Sequence, residues 1–127
     1  MATEIVELDL SFKAENTFAA KQFYAVEMSA DDQVDVCDAT TDTVIGVIQN
    51  NPAAGQAASV RVYGVTKWVS DGTPTTVGDY VGTGATGLAV KKSANTDKIA
   101  GIALSVAAAT GDVISVLLTP GVTLSKT

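Results

Sequence analysis

Val6, Leu8, Leu10 and Phe12 alternate with Glu7, Asp9, Ser11 and Lys13 without a break. Period-two alternation of this length predicts a β-strand with one apolar stripe. Short apolar runs and turn residues then succeed one another quickly. Phe23–Val26, Val34–Cys37, Val44–Ile48, Val60–Tyr63, Val65–Val69, Tyr80–Val81, Leu88–Lys91, Ile99–Leu104 and Val113–Thr119 read as strands, and Val122–Leu124 follows Pro120-Gly121 at the end. Turn residues separate them at Ser29–Asp32, Asn50–Gly55 and Gly82–Gly87. Asp71-Gly72, lying between apolar runs, signals a hairpin. The alanine-rich Val106–Ala109 has room for one helical turn before Gly111-Asp112 ends it.

The pattern also repeats. Asp42-Thr43-Val44-Ile45-Gly46-Val47-Ile48 aligns with Asp97-Lys98-Ile99-Ala100-Gly101-Ile102-Ala103, a shift of 55 at both Asp42/Asp97 and Gly46/Gly101. Val34-Asp35-Val36 precedes one copy and Leu88-Ala89-Val90 the other, while Ser59–Tyr63 and Val113–Leu118 follow them. Two degenerate β units with Gly or Pro punctuation predict a compact all-β body, a sandwich or barrel, over residues 30–127 of a single domain. Residues 1–29 form an N-terminal arm or strand region, and Thr3–Phe12 lies outside the duplicated unit. This strand either completes its own body or adds to a neighbour's sheet edge, where main-chain hydrogen bonds give affinity and alternate side chains give specificity.

Composition narrows the function classes. A chain of 127 residues, 46% hydrophobic and 17% charged, builds a core without metal or disulfide support. A net charge of −6 with scattered lysines opposes binding to nucleic acid. Glu4, Glu7 and Asp9 stand where a secretory signal carries positive charge, and no run approaches the roughly 20 apolar residues of a membrane helix. The expectation is synthesis in a cytoplasm, with no membrane partner.

Candidate chemistry is sparse. The chain has no histidine, and Cys37 is its only cysteine, so no base stands ready to activate the thiol. Gly82-Thr83-Gly84-Ala85-Thr86-Gly87 matches a dinucleotide fingerprint in letters, but a strand follows where a helix is needed. Asp31, Asp32, Asp35, Asp38 and Asp42 lack calcium-loop spacing and read as turn aspartates. Trp68 lies on a strand, as a core or subunit-contact residue. No catalytic, cofactor or metal set emerges, and the expectation is a protein that is not an enzyme and works through its surface.

Ile45–Gly55, Val60-Arg61-Val62-Tyr63-Gly64-Val65, Gly78-Asp79-Tyr80-Val81, Lys98–Leu104 and Gly111–Leu118 follow one another on a β body behind an acidic N-terminal strand. In these residues the chain resembles the small capsid cement, or decoration, proteins of tailed bacteriophages, most clearly from Ile45 to Leu118. The resemblance implies a β-barrel or tulip-like body that forms a homotrimer on the outer surface of the expanded head, clamping neighbouring major capsid protein subunits against the pressure of packaged DNA. Neighbouring decoration trimers are further partners, reached in this family by an N-terminal arm. On that reading Val6, Leu8, Leu10, Phe12, Phe23 and Trp68 are candidate capsid or subunit interface residues. The alternative is a carbohydrate- or receptor-binding β module on a virion or cell surface, against which the aromatic content of 6% speaks.

Overall fold

The computed structural model describes residues 2, 4–94 and 96–123, and the side chains of these except at residues 6 and 120–123. Nine strands are formed: β1 (Ile5–Ala14), β2 (Ala25–Ala30), β3 (Gln33–Val36), β4 (Gly46–Ile48), β5 (Ala57–Asp71), β6 (Tyr80–Thr83), β7 (Ala89–Lys91), β8 (Lys98–Ala103) and β9 (Thr110–Thr123). All belong to one mixed sheet, and no helix occurs among the described residues. The all-β class and the two β units expected from sequence are both present.

The sheet closes on itself twice. Strands β1, β3, β2, β4 and β5 form a ring completed by the β1–β5 pairing. Strands β5, β7, β6, β8 and β9 form a second ring completed by β5–β9. The first half of β5 therefore ends one unit and its second half begins the next.

Strand registers show how complete the duplication is. Val26↔Val36, Glu27↔Asp35 and Met28↔Val34 recur 55 residues later as Val81↔Lys91, Gly82↔Val90 and Thr83↔Ala89. Ala25↔Val47 and Val26↔Gly46 recur as Tyr80↔Ile102 and Val81↔Gly101. The N-terminal strand obeys the same rule. Its pairs Lys13↔Ala57, Phe12↔Ala58 and Ser11↔Ser59 return 56 residues later as Val69↔Val113, Trp68↔Ile114 and Lys67↔Ser115. The expectation that Thr3–Phe12 stands outside the duplicated unit is thus corrected. Strand β1 opens the first unit and is paired within its own chain, antiparallel to β5 and parallel to β3.

Several local expectations shift for physical reasons. Val60–Tyr63 and Val65–Val69 are one strand, because Gly64 (φ +105°) carries the chain between two rings without a break. Asp71-Gly72 does not make a hairpin, since β6 pairs with β7 and β8 while β9 holds that edge of β5. Strand β2 starts at Ala25 because Phe23 is left-handed (φ +67°), as is its counterpart Gly78 (φ +87°). Strand β9 runs through Pro120-Gly121 to Thr123, while Leu124 lies outside the described residues. The expected boundary between residues 29 and 30 falls inside β2.

Each ring is filled from equivalent positions. Val26, Val34, Ile48, Ala58 and Val60 line the first core, with Phe18 and Ala14. Their counterparts Val81, Ala89, Ala103, Ile114 and Val116 line the second, around Trp68. Ala25, Cys37, Val44 and Val47 of the first unit join this second core, so the two rings share a packed boundary. Gly46 and Gly101 answer each other at the closest approaches. A Cβ at Gly46 would overlap the Arg61 carbonyl oxygen and Val60 Cγ1, and one at Gly101 the Leu117 oxygen and Val116 Cγ1.

Gly46→Ala and Gly101→Ala should therefore each cost about 2–4 kcal/mol, because backbone must move to admit the methyl group. Gly55→Ala, with open space around a φ of +83°, should cost only about 1 kcal/mol of backbone strain. Urea denaturation of the three variants checks the order.

Candidate functional site

Strand β1 is held to β5 by a buried cation. Arg61 stands opposite Asp9, donating Nε to its Oδ1 at 2.9 Å and Nη2 to its Oδ2 at 3.2 Å. Nη1 reaches Glu4 Oε2 at 2.8 Å and the Val65 carbonyl at 3.2 Å. Burial disfavours the charged guanidinium, but these carboxylates outweigh it and hold the Arg61 pKa above its ordinary value. Lys67 Nζ adds a weaker contact to Glu4 Oε1 at 3.3 Å.

This anchoring leaves apolar groups in water. Leu8 lies opposite Tyr63, and the two are 42% and 57% exposed beside irregularities in the β1–β5 register. Leu10, opposite Val60, is 41% exposed. Phe12 packs on the first core and Phe23 against the second, with Lys67 Nζ 5.7 Å from the centre of the Phe23 ring. Trp68 is completely buried and donates Nε1 to the Gly87 carbonyl at 3.0 Å, which places it in the core rather than on the surface. The side chain of Val6 lies outside the described residues. Of the six candidates, Leu8 and Leu10 are both exposed, but the bulge between Leu8 and Asp9 sets them on different faces, Leu8 with Tyr63 and Leu10 with Val60 and Phe12.

Sequence reasoning missed Tyr63, whose exposure follows from the change of ring at Gly64. It also missed a second apolar surface. Ile5, Val65, Leu117, Ile102 and Tyr80 stand opposite one another in turn across β1, β5, β9, β8 and β6. Residues directly opposite share a face. The signal for this row was the surplus of apolar residues at outward positions of the second repeat.

The aspartates have mostly local work. Asp42 Oδ2 accepts the amides of Asp38 and Ala39 at 2.8 and 2.9 Å. Asp97 Oδ2 accepts those of Ser93 and Ala94, and Asp112 Oδ2 those of Ala108 and Ala109. One turn device thus precedes β4 and β8 and recurs at the start of β9. Asp35 accepts Nδ2 of Asn16 and the amide of Val36. Of the expected Gly82–Gly87 turn, Gly82 and Thr83 belong to β6 and pair with β7, and only Gly84–Gly87 turns into β7.

Glu27, Cys37 and Asp42 bring an oxygen, a sulfur and an oxygen within 4.8 Å of one another. Burial, the Asp42 hydrogen bond and the charges of Asp42, Asp38 and Asp35 push the Glu27 pKa up to about 7. Burial tends to raise Asp42 as well, but hydrogen bonds from Glu27 and the Asp38 and Ala39 amides hold it below its ordinary value. Below about pH 7 the proton of this pair therefore sits on Glu27. Burial and the nearby Glu27 and Asp42 charges push the Cys37 thiol up to about 12, which keeps it protonated and a poor nucleophile or metal ligand.

The family model of the phage cement proteins matches residues 3–118. The chain belongs to the phage cement protein family. As a phage cement protein it is a structural protein of the phage head. No curated protein matches its sequence. Among solved structures, the N base of head fibre gp8.5 of bacteriophage phi29 is similar, with a TM-score of 0.66 and 19% identity over 88% of this chain and 93% of that one. That likeness carries the fold. No helix of the described residues is long and apolar enough to cross a membrane.

Two outcomes are expected of this cement protein in solution. Asp9→Ala should cost about 2–3 kcal/mol in urea denaturation, because it strips a buried guanidinium of its two-point partner. Glu4→Ala, about a third exposed, should cost less than about 1 kcal/mol. The second outcome concerns pH. Glu27 binds its proton more tightly in the folded chain, so its stabilisation is complete below the ordinary 4.5 and is lost as pH rises through about 7. Asp42 acts oppositely, stabilising above its ordinary 3.8 and losing that as pH falls. The melting temperature of the native protein should fall between about pH 5 and pH 8, and Glu27→Gln should flatten that slope.

Proposed function

We propose that this chain binds the outer surface of the expanded phage head as a homotrimer and clamps neighbouring major capsid protein subunits against the pressure of packaged DNA. The observation that carries this reading is the Leu8–Tyr63 patch, apolar and solvent-exposed on the strand pair that Arg61 locks. A patch of this kind on a rigid base is what a protein-binding surface requires. A loose strand would lose much of its binding energy to ordering on the shell.

The task is mechanical rather than catalytic. Three of the aspartates cap turns, the thiol stays protonated, and the chain has no histidine. A net charge of −6 opposes capture by DNA during assembly. The virion is the place of work, with assembly in the host cytoplasm. Three linked subunits multiply weak contacts, gaining roughly 10²–10⁴ in avidity when all engage at once.

Co-sedimentation with expanded empty heads, compared with unexpanded ones, tests the proposal. Native protein should bind the expanded form. Leu8→Glu and Tyr63→Glu should each weaken binding by about ten-fold or more, since a half-buried side chain of this size contributes about 1–1.5 kcal/mol. Both variants should melt within a few degrees of the native protein. Undiminished binding by both, or equal binding to both head forms, contradicts the proposal.

A further inference from the structure

The duplication shows what covers one apolar face and leaves its twin bare. In the first ring the outer residues Ala25 and Val47 are fully buried. The second ring closes over them: the Ala25 amide donates to the Gly87 carbonyl at 2.9 Å, and a Cβ on Gly87 would overlap Val36 Cγ1. Their counterparts 55 residues on are Tyr80 and Ile102, with Leu117 opposite Ile102. Among the described residues no loop of the second ring's own chain closes over these as Gly87 closes over Ala25. Tyr80 is 46% exposed and Leu117 40%, and among the described residues no loop carbonyl stands before the Tyr80 amide.

The loop that would repeat the closure also exists. Gly84–Gly87 of the second ring corresponds to Ser29–Asp32 of the first, and Asp32 is left-handed (φ +53°) just as Gly87 is (φ +82°). Ser29–Asp32 is exposed and carries two carboxylates. Charge is divided to match. Residues 1–64 hold ten acidic and three basic side chains, a balance of −7, whereas residues 65–127 hold four and five, a balance of +1. Two acidic first rings repel each other, while a first ring meets no such repulsion from the near-neutral second ring.

We infer that the Tyr80–Ile102–Leu117 face of the second ring takes the acidic first ring of another copy of this chain, head to tail, at the Ser29–Asp32 loop. The contact is not a replica of the internal one, because Tyr80 is far larger than Ala25 and holds the loop further out. It rests on and deepens the homotrimer of the proposed function. A three-fold ring requires a contact between two different patches, which a head-to-tail arrangement supplies.

The test is light scattering of the full-length protein over a range of concentrations. Native protein should exceed the mass of one chain as loading rises, less so at high salt. Leu117→Asp and Tyr80→Asp, both at exposed positions, should each remain at one chain, as should the double variant Asp31→Lys/Asp32→Lys. Circular dichroism identifies the face variants that are folded, and any one folded decides. Mixing a folded face variant with the loop variant leaves one good patch on each, so a two-chain species and nothing larger should form. A native mass of one chain at every loading overturns the inference, as does association that the variants leave intact. Binding to expanded heads is scored separately. Native protein that stays monomeric yet binds heads sinks this contact and spares the shell reading, and protein that associates without binding heads does the reverse.

Discussion

One strand has to satisfy two closed rings. β5 pairs with β1 and β4 along its first half and with β9 along its second, and Val65 is paired on both sides, to Ile5 and to Leu117. A slip of one residue would turn every side chain of β5 to the wrong face in both rings at once. Gly64 sits where the halves meet. A side chain there would overlap the Ile5 carbonyl and the Glu7 amide, and its φ of +105° suits only glycine. Everything else, including the surfaces available to a partner, follows from where this strand changes rings.

That arrangement suits a load-bearing role. Closed rings leave few free strand edges to pull apart, and their contacts are long in sequence, so local opening is costly. The buried Arg61 fixes β1 against β5 close to the Leu8–Tyr63 surface. In the proposed clamp such stiffness leaves force on the head to be met by the contacts themselves rather than dissipated in deforming the body. The proposed division of labour gives the β1–β5 patch to the shell and the second ring's outer face to another copy.

Much of the strand pattern was legible in the sequence, because half-buried strands write their geometry as alternation. Asp42/Asp97 and Gly46/Gly101 betrayed the repeat, since a turn cap and a crowded strand crossing each admit few residue types. β1 escaped the repeat because its counterpart, the second half of β5, keeps only inward position. Phe12 answers Trp68, Leu10 answers Thr66 and Asp9 answers Val65, with no shared chemistry. The Asp71-Gly72 turn was local chemistry correctly read, with Asp71 Oδ1 accepting the Thr73 amide at 3.0 Å. Its hairpin failed because strand partners are chosen by the whole sheet. The candidate surface was only partly legible: Leu8 stands on it, while a bulge turns Leu10 to the face of Phe12, the aromatic Trp68 fills a core, and exposure at Tyr63 depends on a ring change that alternation does not encode.

The most direct measurement is a cryo-electron microscopy reconstruction of expanded heads saturated with the protein. The account predicts three-lobed density on the outer surface at three-fold and local three-fold positions, with the β1–β5 face against the shell. Heads that remain bare at saturation, or isolated single copies away from those positions, would contradict it.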